Sequence, residues 1–442
     1  MHQPRSQKSR LQQAPVFLAV LALLASAWMS TAQEPQEEEK GSQDEVRVER
    51  AVVVTARTVE PKKKEADEGA NKDGKEGLAS PPPQVILPKP QAPVGASQAT
   101  VGHRAVKSVR LVVPDGGRVE AARQDDWIAF DRLEADGFYD VYLMQLDSGS
   151  ESCLTCDNWE FNKKSALSPT WHPSGEYLVI HVQENGKKRG LTLASQSTPA
   201  RGLGSELWFI TRDGRDAWQF TKAQEAGRAV LDPHFSFESE LLVWSERVRS
   251  REGGPWGSWE LRVAKINVKR RVPRLGDGRY YKAGVGLALG HGFSPDDAGL
   301  FVSAPTRSTL QPDIARIDLA TGERQPITSA PDQYDDLVQA MPNSDFLVWT
   351  TDRNLPLPNR LHRISELWLR STSGLTQERL TFFNDRGASY GKDEALITDV
   401  SWMADGERLL LHVLSVEDEG GFGEDIYLVD VGRDYWRDRK AR

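Results

Sequence analysis

Short apolar runs, each bounded by turn residues, recur along 119–431. YLVIHV at 177–182, LLVWSE at 241–246, LFVSAP at 300–305, FLVWTT at 346–351 and LLLHVL at 409–414 are continuous rather than alternating. Strands buried on both faces read this way. An aromatic and a tight turn precede three of them, at Trp171 to Gly175, Phe293 to Asp297 and Trp402 to Gly406. A second motif follows: DVYLMQLD at 140–147, ELWFITRD at 206–213, ELRVAKIN at 260–267, DIARIDLA at 313–320, ELWLRSTS at 366–373 and DIYLVDVG at 425–432. Its starts are spaced 66, 54, 53, 53 and 59 residues apart, which marks one supersecondary unit copied several times.

Each unit predicts four strands, the last entered through a glycine-bearing turn such as Asp213-Gly214 or Thr321-Gly322. Aligning VEAARQDDWIAF at 119–130 with VQAMPNSDFLVW at 338–349 completes the first unit. The count is then six first, second and third strands, but only five fourth strands. VKSVRLVV at 106–113 is the economical source of the missing one. The expected fold class is therefore all-β: a six-bladed β-propeller closed by an N-terminal strand that completes the last blade.

The strings SPTWHPSGEYLVI and SELWFITRDGRDAWQFT resemble the WD40-like repeats of TolB-type propellers, with their aromatic-Ser-Pro-Asp-Gly turn, "iyvmd" strand and "rLT" end. The resemblance covers about 119–431 and implies the propeller architecture. It carries little about activity, because the repeat serves many roles. Residues 33–102 also cannot supply the α/β domain that precedes the propeller in TolB, which puts a Tol-Pal role in doubt.

Composition changes the picture at the N-terminus. Arg5, Lys8 and Arg10 precede an unbroken apolar run from Val16 to Leu24, then small residues to Ala32, so residues 1–32 predict a secretory signal peptide and a periplasmic or secreted protein. Left uncleaved, it would serve as a membrane anchor. Loss of these three cations takes the net charge from −8 to −11, against a general nucleic-acid binder. Residues 33–102 are charged and proline-rich and predict a disordered tether, with one apolar patch at 50–54. Residues 103–432 form the propeller, and 433–442 a short basic tail.

The long second-to-third loops, 183–205, 247–259, 353–365 and 415–424, share a rim with the blade-to-blade connections. Binding concentrates on such loops. Arg247, Arg249, Arg251, Trp256, Trp259, Arg353, Arg360 and Arg363 are the expected partner-binding residues, being of the types enriched at interface hot spots. Acidic residues, Asp131, Glu134 and Asp136 among them, occupy the opposite side. The partner class expected is an envelope or secreted protein, anionic or polar where it meets the blade 2 to 5 side.

Catalytic and metal chemistry are less well supported. Cys153 and Cys156, the only cysteines, suit a disulfide in an exported chain if the strand turns at Thr155-Cys156, and two free thiols otherwise, since extended residues three apart are about 10 Å apart. No second cysteine pair supports zinc. His234 and His291 fall near the axis in different alignment columns, while His181 and His412 share one, so all four are expected to be structural. No G-x-S-x-G elbow accompanies the repeats. The expectation is a non-catalytic binding or scaffolding module without cofactor or metal. The alternatives are a polysaccharide-lyase-like enzyme using the axial funnel and a purely structural envelope component.

Overall fold

The computed structural model describes residues 48–49, 103, 105–184, 204–237, 241–250, 257–306, 311–330, 332–342, 344–361, 363–372, 374, 377–416 and 422–432. The leader, the tether apart from 48–49, and the tail lie outside the described residues.

Six sheets follow one another along the chain. Blade 1 comprises Val119–Ala121, Trp127–Leu133, Tyr139–Gln145 and Ser150–Cys153. Blade 2 comprises Lys164–Trp171, Tyr177–Glu184, Ser205–Thr211 and Ala217–Gln219. Blade 3 is larger, with Val230–Phe235, Leu241–Arg249, Ser258–Lys269 and Val272–Tyr281, plus Val48–Glu49 on its outside. Blades 4 and 5 run Leu289–Phe293 to Arg324–Pro326 and Asp335–Ala340 to Gln377–Arg379. Blade 6 holds Ala395–Trp402, Arg408–Val416 and Phe422–Val431, with Val106–Pro114 antiparallel along the last of these, Val109 opposite Val429. The fold is a six-bladed β-propeller, as the repeat count predicts.

Each pair of neighbouring blades encloses its own core. Trp171, Leu178, Ile180 and Trp208 of blade 2 meet Ala129 and Leu143 of blade 1, while Val179 and Phe209 on the opposite face meet Leu242 and Trp244 of blade 3. Alternate residues of the second strand thus point into two different cores, so Leu178, Val179 and Ile180 are all fully buried. This is why the run is apolar throughout instead of alternating. The sixth interface, between blades 6 and 1, is built from Val113, Ile426 and Leu428 against Val119, Ile128 and Phe130.

A recurring hydrogen-bond clasp explains two motif positions. The third strand opens with an acidic residue, and a threonine follows the fourth strand. Thr221 Oγ1 accepts the Leu207 N–H (2.8 Å) and donates to Glu206 (2.6 Å). Thr381 does the same with Leu367 and Glu366 (2.9 and 2.6 Å), and Thr155 with Val141 and Asp140 (3.0 and 2.6 Å). Thr328 repeats it with Ile314 and Asp313 at 2.9 and 3.4 Å. The free backbone amides beyond the strand then fold onto the same carboxylate, as Ala223 and Gln224 do on Glu206. One hydroxyl therefore satisfies a strand amide and a carboxylate together, the carboxylate buried in blades 2, 4 and 5 and half-buried in blade 1, where a three- or four-residue outer strand ends.

Candidate functional site

The rim residues do not form one patch. Arg249 and Arg360 are exposed. Arg247 is half-buried, its guanidinium 3.4 Å from the Gly227 carbonyl. Arg353 lies over the Trp368 ring and donates to Gln333 (2.9 Å) and Gln377 (2.6 Å). Trp259 is 3 % exposed and belongs to the core between blades 3 and 4, because the third strand starts at Ser258 and draws it inward. It is therefore not a surface contact. Arg251 and Trp256 lie outside the described residues. Arg363 turns away from its loop toward the axis, its guanidinium 3.9 Å from the Tyr334 ring centroid. Asp131, placed on the acidic rim by the sequence, is 2 % exposed and sits behind the inner strands.

The axis is where polar chemistry converges. Inner strands of blades 2 to 6 each carry a register shift, between Leu167 and Thr170, Leu231 and His234, Gly290 and Phe293, Asp336 and Gln339, and Ile397 and Asp399. Positive φ accompanies it at Ser168 (46°), Asp232 (45°), Gly292 (106°) and Leu337 (51°). Such bulges re-aim side chains at a local cost on the order of 1–3 kcal/mol for a non-glycine residue. Here they border an axial cavity of about 280 Å³, whose lining includes Arg118, Asp232, His234, His291, Asp336 and Asp399.

Two arginines of blade 1 cross that cavity. Arg118 Nη1 lies 2.5 Å from Asp232 Oδ1 of blade 3 and 3.2 Å from Ser168 Oγ of blade 2. Burial disfavours the Arg118 charge, but Asp232, Asp399 and Asp131 outweigh it and hold the pKa above its ordinary value. Arg123 donates to the carbonyls of Phe235 (2.8 Å), Ser236 and Phe237 and lies over the Phe237 ring. Carboxylates around them are held by backbone amides. Asp399 accepts from Val119 and Val400 (3.0 and 2.9 Å), Asp131 from Arg118 and Ser168 (3.0 and 2.8 Å). Burial pushes Asp399 up to about 7, against the pull of Arg118, and Asp131 up to about 6. Glu120, bonded to the Thr170 hydroxyl and the Trp171 amide, is likewise pushed up to about 7 by burial.

On the opposite wall Asp336 gathers His291 Nε2 (3.0 Å), the hydroxyls of Ser303 (2.6 Å) and Tyr334 (2.8 Å), and the Leu337 amide (3.0 Å). Burial opposes its charge, yet these donors, His291 foremost, hold it at about 2. Serine, histidine and aspartate are all present, but not as a relay. Both Ser303 and Asp336 meet the same nitrogen of His291, and the serine hydroxyl donates to the carboxylate. An activated nucleophile needs acid and serine on opposite ring nitrogens. This is a cage for a buried anion.

The histidines read as repeat-intrinsic occupy a six-fold column the sequence reading did not complete. The fifth residue of every second strand is polar: Asp131, His181, Ser245, Ser303, Thr350 and His412, none more than 6 % exposed. Three reach the next blade's inner strand, Asp131 to the Ser168 amide, Ser245 to the Gly290 amide (3.1 Å) and Ser303 to Asp336. His412 Nδ1 meets Thr398 Oγ1 at 2.6 Å. Neither ring nitrogen of His181 has a hydrogen-bond partner, and burial lowers its pKa to about 4, as it does for His234 at the cavity wall. A periodic polar residue inside an apolar run was the signal available; its changing identity concealed it.

Cys153 and Cys156 are joined, with Cα atoms 5.8 Å apart. The strand ends at Cys153, and the chain turns so that Thr155 enters the blade 1 clasp. Asp140 lies near both sulfurs with metal-ligand spacing, but bonded sulfurs are not thiolates.

No family model matches this chain, and no curated protein matches it. Solved structures do, at low identity. TolB from Acinetobacter baumannii is 11 % identical over 72 % of this chain and 64 % of its own, with a TM-score of 0.40. A TolB-type protein from Agrobacterium tumefaciens is 14 % identical over 66 % of this chain and 90 % of its own, with a TM-score of 0.42. The six-bladed propeller itself rests on the sheet order of this chain. Puromycin hydrolase is similar at the same level, 12 % identical with a TM-score of 0.42, over 71 % of this chain and 51 % of its own. This chain therefore spans less than two thirds of the Acinetobacter TolB and about half of the hydrolase. These likenesses are of fold alone. No helix among the described residues is long and apolar enough to cross a membrane.

Proposed function

We propose that this TolB-like propeller is a binding or scaffolding module of the bacterial envelope whose protein partner docks on the rim of long loops. The observation that carries this reading is how the axial groups are used. Arg118 is engaged by Asp232, Arg123 by three carbonyls, and Asp336 by His291, Ser303 and Tyr334. Acid, base and cation are committed to one another, which suits a rigid platform better than a turnover site. The Arg363–Tyr334 stack stands at the long-loop end of the cavity, since both residues belong to connections of that rim, and exposed Arg249 and Arg360 lie on the same rim. The export pattern at residues 1–32 supports an envelope location.

Photo-crosslinking in cells from positions 249 and 360 tests this reading. One protein captured from both positions, lost from both on Arg363→Glu and lost from position 360 on Arg249→Glu, is the expected result; unchanged capture by the reversed chains contradicts it. An enzyme acting in the axial funnel is the second reading, favoured by Glu120 and Asp399 standing near pH 7 beside the cavity. Turnover of a polyanionic glycan that is abolished by Glu120→Gln would select it.

A further inference from the structure

The outer edge of blade 3 is unlike those of blades 1, 2, 4 and 5. Their outer strands run three or four residues, whereas Val272–Tyr281 runs ten. At about 3.4 Å per residue that is roughly 34 Å of strand edge. Such an edge presents a row of backbone donors and acceptors, a template for another strand. Arg274, Asp277 and Arg279 along it are exposed. A neighbour is already in place on that side: Val48 pairs with Arg279 and Glu49 with Gly278, antiparallel.

The sequence around those two residues fits a longer strand. EVRVERAVVV at 45–54 contains no glycine or proline, in a region otherwise rich in both, and half of it is valine, a strand-forming residue. The register Val48–Arg279, continued one residue, sets position 50 against 277, an arginine against an aspartate. Continued three residues the other way, it sets Glu45 against Lys282. Cross-strand pairs of opposite charge favour that register over its neighbours.

We propose that residues 44–54 of the tether dock along the outer edge of Val272–Tyr281 as a fifth strand of blade 3. The ring order places blade 3 opposite blade 6, where the chain enters the propeller at Val106. The tether would then span from one side of the ring to the other, and the leader would leave from the blade 3 side. A flexible chain as long as 50–102 has a root-mean-square reach of roughly 40 Å, on the order of a domain's width.

Hydrogen exchange on the full chain tests this directly. The outward-facing amides of 272–281 are expected to exchange at least tenfold more slowly in the native chain than in one whose residues 44–54 are replaced by a Gly-Ser stretch. Adding a synthetic peptide of residues 43–56 to the replaced chain should restore protection, and the same peptide with Val48→Pro and Val52→Pro should not. An unchanged melting temperature in the replaced chain would show that the propeller itself is intact. Equal exchange in the two chains overturns the proposal. Protection in the replaced chain that rises with its own concentration overturns it too, by making a second copy the occupant.

Discussion

In blade 5 a three-residue outer strand hangs on one buried carboxylate, whereas in blade 3 a ten-residue outer strand is held by its ladder. Glu366 is fully buried and accepts from the Thr381 hydroxyl, the Phe383 and Asn384 amides and Arg379. Blade 3 has Glu260 at the same motif position, only half-buried, and no threonine clasp among the described residues. Its buried acid is on the second strand instead, where Glu246 takes Trp244 Nε1 (3.0 Å), Arg228 (2.8 Å) and the Tyr280 hydroxyl (3.2 Å). The lesson is that a short fourth strand needs a side-chain anchor, because three residues make too few ladder bonds to fix it. A long strand can do without the anchor but leaves an edge.

The largest effect is expected at the anchor. Glu366→Ala should destabilise the protein by about 3–5 kcal/mol in chemical denaturation, because it strands a half-buried arginine, a buried threonine hydroxyl and two amides. Thr381→Val removes only the hydroxyl and leaves the Leu367 amide without its acceptor, an expected loss of about 1–3 kcal/mol. A third test separates the anchors from the axis by pH. Asp399 and Glu120 have folded pKa values raised to about 7, so their contribution is present at acid pH and is lost as pH rises from about 4 toward 7. His181 and His234, lowered to about 4, act oppositely and lose theirs as pH falls from 6.5 toward 4. Asp399→Asn should therefore reduce the fall in melting temperature between pH 5 and pH 8, and a fall as steep as in the native chain would show that Asp399 does not titrate there. The smallest effect should be Glu260→Ala, within about 0.5 kcal/mol as for surface changes. Equal losses for Glu260→Ala and Glu366→Ala would erase the contrast between the blades.

Legibility in the sequence followed periodicity. Turns, apolar second strands and the aromatic third strand repeat in kind as well as in place, so six blades could be counted. The clasp threonines Thr155, Thr221, Thr328 and Thr381 were visible only as the end of a motif, since their partners lie 14 or 15 residues upstream. Trp259 was misplaced because the strand begins two residues before the expected boundary, at Ser258, and burial depends on the facing blade. Arg363 lies within its rim loop, yet an aromatic ring from the preceding connection captures it. Arg118 and Arg123 carried no signal at all: their partners, Asp232 and the carbonyls of Phe235 to Phe237, lie 112 to 114 residues away.

The pairing of Val109 with Val429 has a kinetic consequence. Bringing together two segments about three hundred residues apart costs roughly 5 kcal/mol in loop entropy if the intervening chain is still loose, and far less once it has condensed. Assembly should thus run outward from local hairpins and finish with the pairing of Val106–Pro114 along Phe422–Val431. A ring fastened by its most distant pairing should therefore gain hydrogen-exchange protection along Val106–Pro114 only in the last step of refolding.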